Sequence, residues 1–233
     1  MITTVLFDLD GTLSDSAPGI LAALRHAFAA NGVAALPPAR ERELLGPPFS
    51  VSLPPIVGQD RLDAVVADYR EHYGAGGMFD TTRYDGVLDV VQELRRRGIT
   101  LAVATSKPEP YATRIIEHLG LGDAFVTVCG DTLDGQRDSK ALVVAEALRR
   151  LGGPPAGAVL MVGDRVHDVV GAGAHGVATL GAGWGYGTAG ELSAAHAVFD
   201  TPWQLCAALP DLLGASWHGG GGPGGGRGDG ATS

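Results

Sequence analysis

Residues 2–12 of the chain read ITTVLFDLDGT, an apolar run that ends in two aspartates and a glycine. The run Ile2–Phe7 predicts a buried strand, and in a parallel sheet the carboxyl ends of the strands face the ligand crevice. Asp8 and Asp10 would point to opposite faces of a regular strand, but Gly11 lets the backbone turn so that Asp10 can swing back over the same cleft. Taken alone, the pair also fits an ordinary strand-to-turn transition, in which Asp-Gly is common.

Short apolar runs alternate with helix-patterned segments along most of the chain, which is typical of βαβ units around a parallel sheet. The runs are nearly continuous in apolar residues, as expected for strands that are covered on both faces. The predicted strands are Ile2–Phe7, Thr100–Ala104, Phe125–Cys129, Ala158–Val162 and Val177–Leu180. The predicted helices between them are Leu88–Arg97, Tyr111–Leu119, Lys140–Leu151 and Asp168–His175. This pattern predicts an α/β fold with a doubly wound, Rossmann-like parallel sheet.

Residues 15–80 interrupt this alternation. They are punctuated by prolines and contain two clear helical patterns, Ile20–Ala30 and Leu62–Tyr73. We therefore predict a small helical domain inserted after the first strand, with the core formed by residues 1–14 and 81–213. Residues 214–233 are rich in glycine and cannot bury apolar surface, so we expect them to form a disordered tail.

Three further groups of polar residues stand where predicted strands end or helices begin. Thr105 and Ser106 follow the second predicted strand, where hydroxyls and backbone N–H groups can bind phosphate oxygens. Lys140 opens a helix, which opposes the helix dipole unless the ammonium group neutralises a carboxylate or a phosphate. Asp164 and Asp168 are spaced so that a helix start brings both carboxylates to one face, and carboxylate oxygens suit Mg²⁺.

Each of these groups alone is also explained by a helix cap, a turn or an exposed side chain. As an ordered set, together with the first aspartate pair, they supply a nucleophile, a proton-transfer carboxylate, a cation and a metal site. Phosphoryl transfer needs this combination.

Composition narrows the classes of partner. The formal net charge of −9 argues against a nucleic-acid partner, because phosphate backbones require a basic stripe. No apolar run is long enough to cross a bilayer and no signal peptide is evident, so we expect a cytoplasmic protein with no membrane partner. Cys129 and Cys206 show no metal-ligand pattern and are expected to be buried free thiols. Among 17 Lys and Arg residues only Lys107 and Lys140 are lysines, which makes both candidates for a role that needs a compact ammonium group.

In order and spacing, these motifs resemble the four motifs of the haloacid dehalogenase superfamily, and the resemblance covers roughly residues 1–213. The sequence DLDGT at residues 8–12 is its most specific part, and the helical insert resembles the small helical cap of this superfamily. YDGV (84–87), VATSKP (103–108) and WGYG (184–187) resemble the phosphoglycolate phosphatase branch. LDG (133–135) and GDRVHD (163–168) resemble a bacterial 5′-nucleotidase-like subgroup. Asp85 departs from the branch, which usually has proline there; this loosens a turn and affects no catalytic role.

The resemblance implies a Mg²⁺-dependent phosphatase that works through an aspartyl phosphate. Asp8 would attack phosphorus, and Asp10 would protonate the leaving alcohol and then activate water. Thr105 and Lys140 would complete the catalytic set. The phosphate site would comprise Gly11, Thr105, Ser106 and Lys140. The Mg²⁺ site would comprise Asp8, Asp10 through its backbone oxygen, and Asp164, with Asp168 behind it.

The sequence also separates this chain from some relatives. Dehalogenases of the superfamily lack the second aspartate, which is present here as Asp10. Relatives that cleave carbon–phosphorus bonds use a cap lysine, and no lysine precedes Lys107. A signalling receiver domain uses similar residue types, but it is much shorter and has no helical insert. A sugar phosphomutase of the same superfamily and a non-catalytic phosphate-binding relative stay open as alternatives.

The expected partner is a small phosphorylated metabolite, either phosphoglycolate or a nucleoside 5′-monophosphate. The cap would choose between them, and its loop GPPF (46–49) is expected to lean over the cleft. Five cap cations could hold a second charged group of the substrate, although a solvated helix face explains each one singly: Arg25, His26, Arg40, Arg42 and Arg70. Both a monomer and a homodimer are compatible with the sequence.

Overall fold

The fold is built on a six-stranded parallel sheet, which we describe from a computed structural model that covers residues 1–47, 49–134 and 136–215. The strands are β1 (Thr4–Phe7), β2 (Ser14–Asp15), β3 (Thr82–Arg83), β4 (Thr100–Pro108), β5 (Thr127–Asp131), β6 (Val159–Gly163), β7 (Ala178–Ala182) and β8 (Ala197–Phe199). The order in the sheet is β5-β4-β1-β6-β7-β8, while β2 and β3 form a separate antiparallel ribbon. The chain moves outward from β1 first on one side and then on the other, so the topological switch point lies at β1.

The helices divide between the sheet and the insert. They are α1 (Ala17–Ala30), α2 (Pro38–Arg42), α3 (Phe49–Ser52), α4 (Pro54–Val57), α5 (Gln59–Ala75), α6 (Val87–Arg96), α7 (Glu109–His118), α8 (Lys140–Arg150), α9 (Val166–Gly173) and α10 (Pro202–Gly214). In the sequence, the five helices α1–α5 are inserted between β2 and β3, the two strands of the ribbon. In space, α1 packs along α5. We call α1–α5 and their connections the cap.

Alternating side chains of β1 enter two separate apolar cores. Val5 and Phe7 belong to the larger core with α6, α7 and α10, whereas Leu6 belongs to a smaller core with α8 and α9. This follows from the two-residue period of a strand, which sends successive side chains to opposite faces. The α/β class with a doubly wound parallel sheet and a small helical cap is therefore confirmed.

Several details differ from the sequence prediction. Strand β4 extends to Pro108 instead of ending at Ala104, with an irregular register against β5 between those residues. β8 and α10 were not predicted, and α10 runs through Gly214, the first residue of the predicted tail. Residues 216–233 of that tail lie outside the described part of the chain.

Two expectations about composition can be compared with the structure. Cys129 is buried as expected, but the expectation for Cys206 was wrong, because its side chain on α10 is only half-buried. No helix within the described ranges is both long and apolar enough to cross a membrane.

The smaller core should depend strongly on the central strand. Leu6 is fully buried there, so Leu6→Ala should lower the free energy of unfolding by about 2–5 kcal/mol through the lost transfer energy and the cavity left behind. Leu142→Ala on α8 is the matched control, because that side chain is 47% exposed and should cost less than about 0.5 kcal/mol. Urea denaturation measures both, and equal losses would contradict this account of the core.

Candidate functional site

Asp8 follows β1 directly and lies beside the ammonium group of Lys140. The Lys140 Nζ forms ion pairs with Asp8 Oδ1 at 2.8 Å and Asp168 Oδ1 at 2.7 Å, and it donates a hydrogen bond to the backbone oxygen of Ala104 at 3.0 Å. Lys140 is the first residue of α8, whose N-cap Ser139 accepts a hydrogen bond from the backbone of Leu142. Burial alone would lower the pKa of Lys140, but the carboxylates of Asp168 and Asp8 outweigh it and raise the pKa above its usual value. Lys140 therefore carries its positive charge and has three polar contacts in the core.

Asp164 and Asp168 meet Asp8 at the junction of β6 and α9. Carboxylate oxygens of the three residues lie within 4.8 Å of one another. Asp168 sits in the first turn of α9, where its Oδ2 accepts from the backbone N–H of Arg165 at 3.0 Å. One oxygen of Asp168 is thus paired with Lys140, and the other accepts the hydrogen bond that caps α9.

Asp164 is completely buried without a countercharge. Its oxygens accept hydrogen bonds from the Thr12 hydroxyl at 3.3 Å and the Tyr186 backbone N–H at 2.8 Å, both neutral donors. Within the described ranges it forms no ion pair. Burial, followed by the nearby charges of Asp168 and Asp8, raises the pKa of Asp164 well above its usual range.

The turn after β1 is fitted closely around Asp164. Gly11 has a φ of +83° and donates its N–H to the Ser14 backbone oxygen at 2.9 Å. A Cβ at Gly11 would collide with the Asp164 carboxylate, so a side chain is excluded there both by conformation and by space. The turn brings Asp10 back to the edge of the sheet, and Asp10 and Asp8 line the same cavity.

Asp10 has a partner that the sequence analysis did not assign. Lys107 Nζ lies 2.9 Å from Asp10 Oδ2 and donates to the Tyr73 hydroxyl of the cap at 2.8 Å. The scarcity of lysine had marked Lys107 as a candidate, but no sequence signal pointed to Tyr73.

Thr105 and Ser106 also line the cavity, on the last part of β4. Thr105 is almost fully buried, and its hydroxyl accepts from the Lys107 backbone N–H at 3.3 Å. The structure therefore gathers every residue of the predicted site at the carboxyl edge of β1, β4 and β6.

The cavity between cap and core has a volume of about 620 Å³. Gly46, Pro47 and Phe49 of the cap loop line it, while Pro48 lies outside the described residues. Arg165 ties this loop to the core, since its guanidinium bonds the Leu45 backbone oxygen and also Glu191. Sequence analysis did not identify Arg165 as a cap contact.

Four of the five cap cations do not line the cavity. Arg25 and Arg40 form ion pairs with neighbouring cap glutamates, and His26 stacks on His72 with ring centroids 4.2 Å apart. Only Arg70 of the set contributes to the lining, and Arg42 does not. Of the five cations that could hold a second charged group of the substrate, only Arg70 therefore lies at the cavity.

The charge balance at the sheet edge fits a divalent cation. Asp8, Asp164 and Asp168 bring three carboxylates together, and one ammonium group, that of Lys140, lies among them. An uncompensated buried carboxylate is costly, and clustered carboxylate oxygens are the ligands that Mg²⁺ prefers. Asp164 and Asp8 are best placed to hold such an ion, because Asp168 is already neutralised by Lys140.

Comparison with known proteins agrees with this geometry. A family model described as haloacid dehalogenase-like hydrolase matches residues 5–182. A 5′-nucleotidase of Pseudomonas aeruginosa is 37% identical over 210 residues, which cover 89% of this chain and 92% of that protein. A phosphoglycolate phosphatase of Rhodospirillum rubrum is 34% identical over 232 residues, covering 94% of each chain.

A third relative is a protein kinase by name. The tyrosine-protein kinase PtkA of Mycobacterium tuberculosis is 45% identical over 188 residues, which are 79% of this chain and 63% of PtkA. The chain therefore spans less than two thirds of the length of that relative. A solved structure of PtkA superposes with a TM-score of 0.78 at 38% identity, covering 92% of this chain and 99% of the solved one.

Mg²⁺ should stabilise the folded chain, and Asp164→Asn should abolish that effect. A ligand that binds only the folded state, at a concentration 100 times its Kd, adds about 2.7 kcal/mol to the free energy of unfolding. Binding of Mg²⁺ requires the negative charge of the Asp164 carboxylate. The metal-free variant should stay folded, because asparagine keeps the polar shape and removes an uncompensated charge. Thermal denaturation with and without Mg²⁺ measures this, with Asp123→Asn as a control at an exposed site. An unchanged Mg²⁺ effect in Asp164→Asn would contradict the assignment.

Proposed function

Because the chain belongs to the haloacid dehalogenase-like hydrolase family, we propose that it is a Mg²⁺-dependent phosphatase of small phosphate monoesters. The observation that carries the proposal is the position of Asp8. Its carboxylate lies at the floor of the cavity, fixed by Lys140 and next to the uncompensated charge of Asp164. A fixed anionic nucleophile beside a site for a divalent cation is suited to attack on a phosphate ester.

In the first step, a carboxylate oxygen of Asp8 forms a bond to phosphorus as the bond from phosphorus to the ester oxygen breaks. Lys140 holds Asp8 Oδ1 at 2.8 Å, which leaves Oδ2 for the attack. Asp10 donates its proton to the departing alkoxide, so the alcohol leaves neutral. The product of this step is an aspartyl phosphate.

In the second step, Asp10 accepts a proton from a water molecule that attacks the same phosphorus. The bond between phosphorus and Asp8 breaks, which releases inorganic phosphate and restores the carboxylate. Thr105 and Ser106 line the cavity, where they can donate hydrogen bonds to phosphoryl oxygens, and Lys140 balances the charge of those oxygens. The N–H of Gly11, which was also expected to bind phosphate, is instead donated to the Ser14 backbone oxygen.

The metal would be held by Asp8, Asp164 and the backbone oxygen of Asp10, with Asp168 orienting Lys140 from behind. When bound, Mg²⁺ supplies positive charge that reduces the repulsion between an anionic nucleophile and an anionic substrate.

Two substrates fit the family branch, and the cavity favours the larger one. A volume of about 620 Å³ falls in the range of pockets that enclose complete cofactors and drug-sized ligands, which exceeds the needs of phosphoglycolate. Phe49 and Tyr69 form part of the wall, with their rings edge-on and centroids 4.6 Å apart. Aromatic walls suit a flat base, so a nucleoside 5′-monophosphate is the first choice and phosphoglycolate the second.

The alternatives differ in what accepts the phosphoryl group. A phosphomutase, or a tyrosine kinase such as PtkA is by name, would pass the phosphoryl group to a hydroxyl group rather than to water. A non-catalytic relative would bind phosphate without turnover. Asp8 and Asp10 both face the cavity with intact partners, which favours a working enzyme over the last of these.

The test is phosphate release with Mg²⁺ from nucleoside 5′-monophosphates, phosphoglycolate and hexose phosphates. The native chain should release phosphate, and Asp8→Asn should reduce kcat at least about 10⁴-fold, because the nucleophile is lost. Asp89→Asn on α6 is the matched control, since that aspartate lies outside the cavity and should leave the rate unchanged.

Different results would select among the alternatives. Transfer of phosphate to a sugar hydroxyl or, from ATP, to a tyrosine peptide without release of phosphate would replace the phosphatase with a phosphotransferase. Absence of both release and transfer from the folded protein with Mg²⁺ would reject the enzyme altogether.

A further inference from the structure

The second lysine of the chain joins the cap to the proton-transfer carboxylate. Lys107 lies near the end of β4, and its side chain is only 6% exposed. Its ammonium group contacts Asp10 Oδ2 on the core side at 2.9 Å and the Tyr73 hydroxyl on the cap side at 2.8 Å. It also lies 4.6 Å from the centroid of the Tyr73 ring, within the range of a cation–π contact.

The ion pair distinguishes the two oxygens of Asp10. Oδ2 is paired with Lys107, whereas Oδ1 is buried and has no hydrogen-bond partner in the described part of the chain. An unpartnered buried oxygen is costly unless a ligand completes it. Since Asp10 lines the cavity, Oδ1 is the oxygen left for exchange of a proton with a substrate or with water.

The cap side of this contact is closely packed. Tyr73 is 1% exposed on α5 and stacks on Tyr69 with ring centroids 5.3 Å apart and planes inclined by 12°. Tyr111 of α7 in the core meets the same ring edge-on at 5.9 Å. The Tyr73 hydroxyl is therefore aimed at Lys107 only while α5 rests against the core.

We propose that Lys107 is a positioning residue that holds Asp10 with Oδ1 towards the reacting group, and that Tyr73 makes this hold depend on the closed cap. The inference rests on the proposed phosphatase reaction. Lys107 lines the cavity, but Asp10 and Tyr73 take two of its three N–H donors, and the scheme gives it no part in binding the substrate. Removal of Lys107 therefore impairs proton donation to the leaving group rather than phosphate binding.

Leaving-group dependence tests this directly. Benzyl phosphate releases a basic alkoxide that must be protonated, whereas p-nitrophenyl phosphate releases an anion that is stable by itself. Lys107→Met should lower kcat/KM about 100-fold for benzyl phosphate and less than about tenfold for p-nitrophenyl phosphate, because general acid catalysis is worth about 10²–10⁴-fold. Asp10→Asn should show the same bias more strongly. Using kcat/KM restricts the comparison to steps up to departure of the leaving group.

Two tyrosine variants complete the experiment. Tyr73→Phe keeps the ring stack and removes the hydroxyl. It should therefore also lower kcat/KM more for benzyl phosphate than for p-nitrophenyl phosphate, by about a third to a tenth of the factor seen in Lys107→Met. Tyr111→Phe is the matched control from the same aromatic group and should show no bias. If Lys107→Met does not unfold cooperatively, Tyr73→Phe carries the decision.

Equal losses on the two esters, or no loss, in both Lys107→Met and Tyr73→Phe would overturn the positioning role. An equal loss would instead mark Lys107 as a phosphate-binding or purely structural residue. Inactivity of the native chain on both esters would reject the phosphatase itself, which is a distinguishable result.

Discussion

The ion pairs between buried lysines and the aspartates at the end of β1 support the rest of this site. Lys140 lies between Asp8 and Asp168, and Lys107 pairs with Asp10. Carboxylates crowded at a sheet edge repel one another and lose hydration, and a buried ammonium group offsets both costs only when its geometry is good. Here each lysine meets its acceptors at 2.7–3.0 Å. The two ammonium groups therefore offset the crowding of carboxylates at the edge of the sheet.

The two lysines have different tasks because they face different parts of the molecule. Within the described ranges, the polar contacts of Lys140 all lie in the core, where it fixes the nucleophile and neutralises Asp168, so the charge of Asp164 is left for a metal. Lys107 contacts both core and cap, so the orientation of Asp10 depends on whether the cap is closed. A substrate that fills the cavity and holds the cap against the core would then also align the proton donor.

Much of this arrangement could be predicted from local patterns. Strands covered on both faces read as apolar runs, and the residues at their carboxyl ends come together because parallel strands share an edge. β8 was missed because it is a three-residue edge strand with an exposed Val198, and α10 because Pro210 inside it is typical of a helix break. The pairing of Lys107 with Tyr73 could not be predicted, since it depends on how the cap packs against the core across 34 residues of sequence. The contact of Arg165 with Leu45 spans 120 residues and escapes sequence patterns for the same reason.

The central claim is that Asp8 carries the phosphoryl group during turnover. The most direct measurement is acid quenching of the Mg²⁺-loaded protein as it turns over a phosphate ester, followed by mass spectrometry of the peptide that contains residues 2–12. The account predicts that this peptide gains one phosphate on Asp8 within the first turnover and that the modification disappears once the substrate is consumed. Steady release of phosphate without any phosphorylated Asp8, at quench times shorter than one turnover, would contradict it.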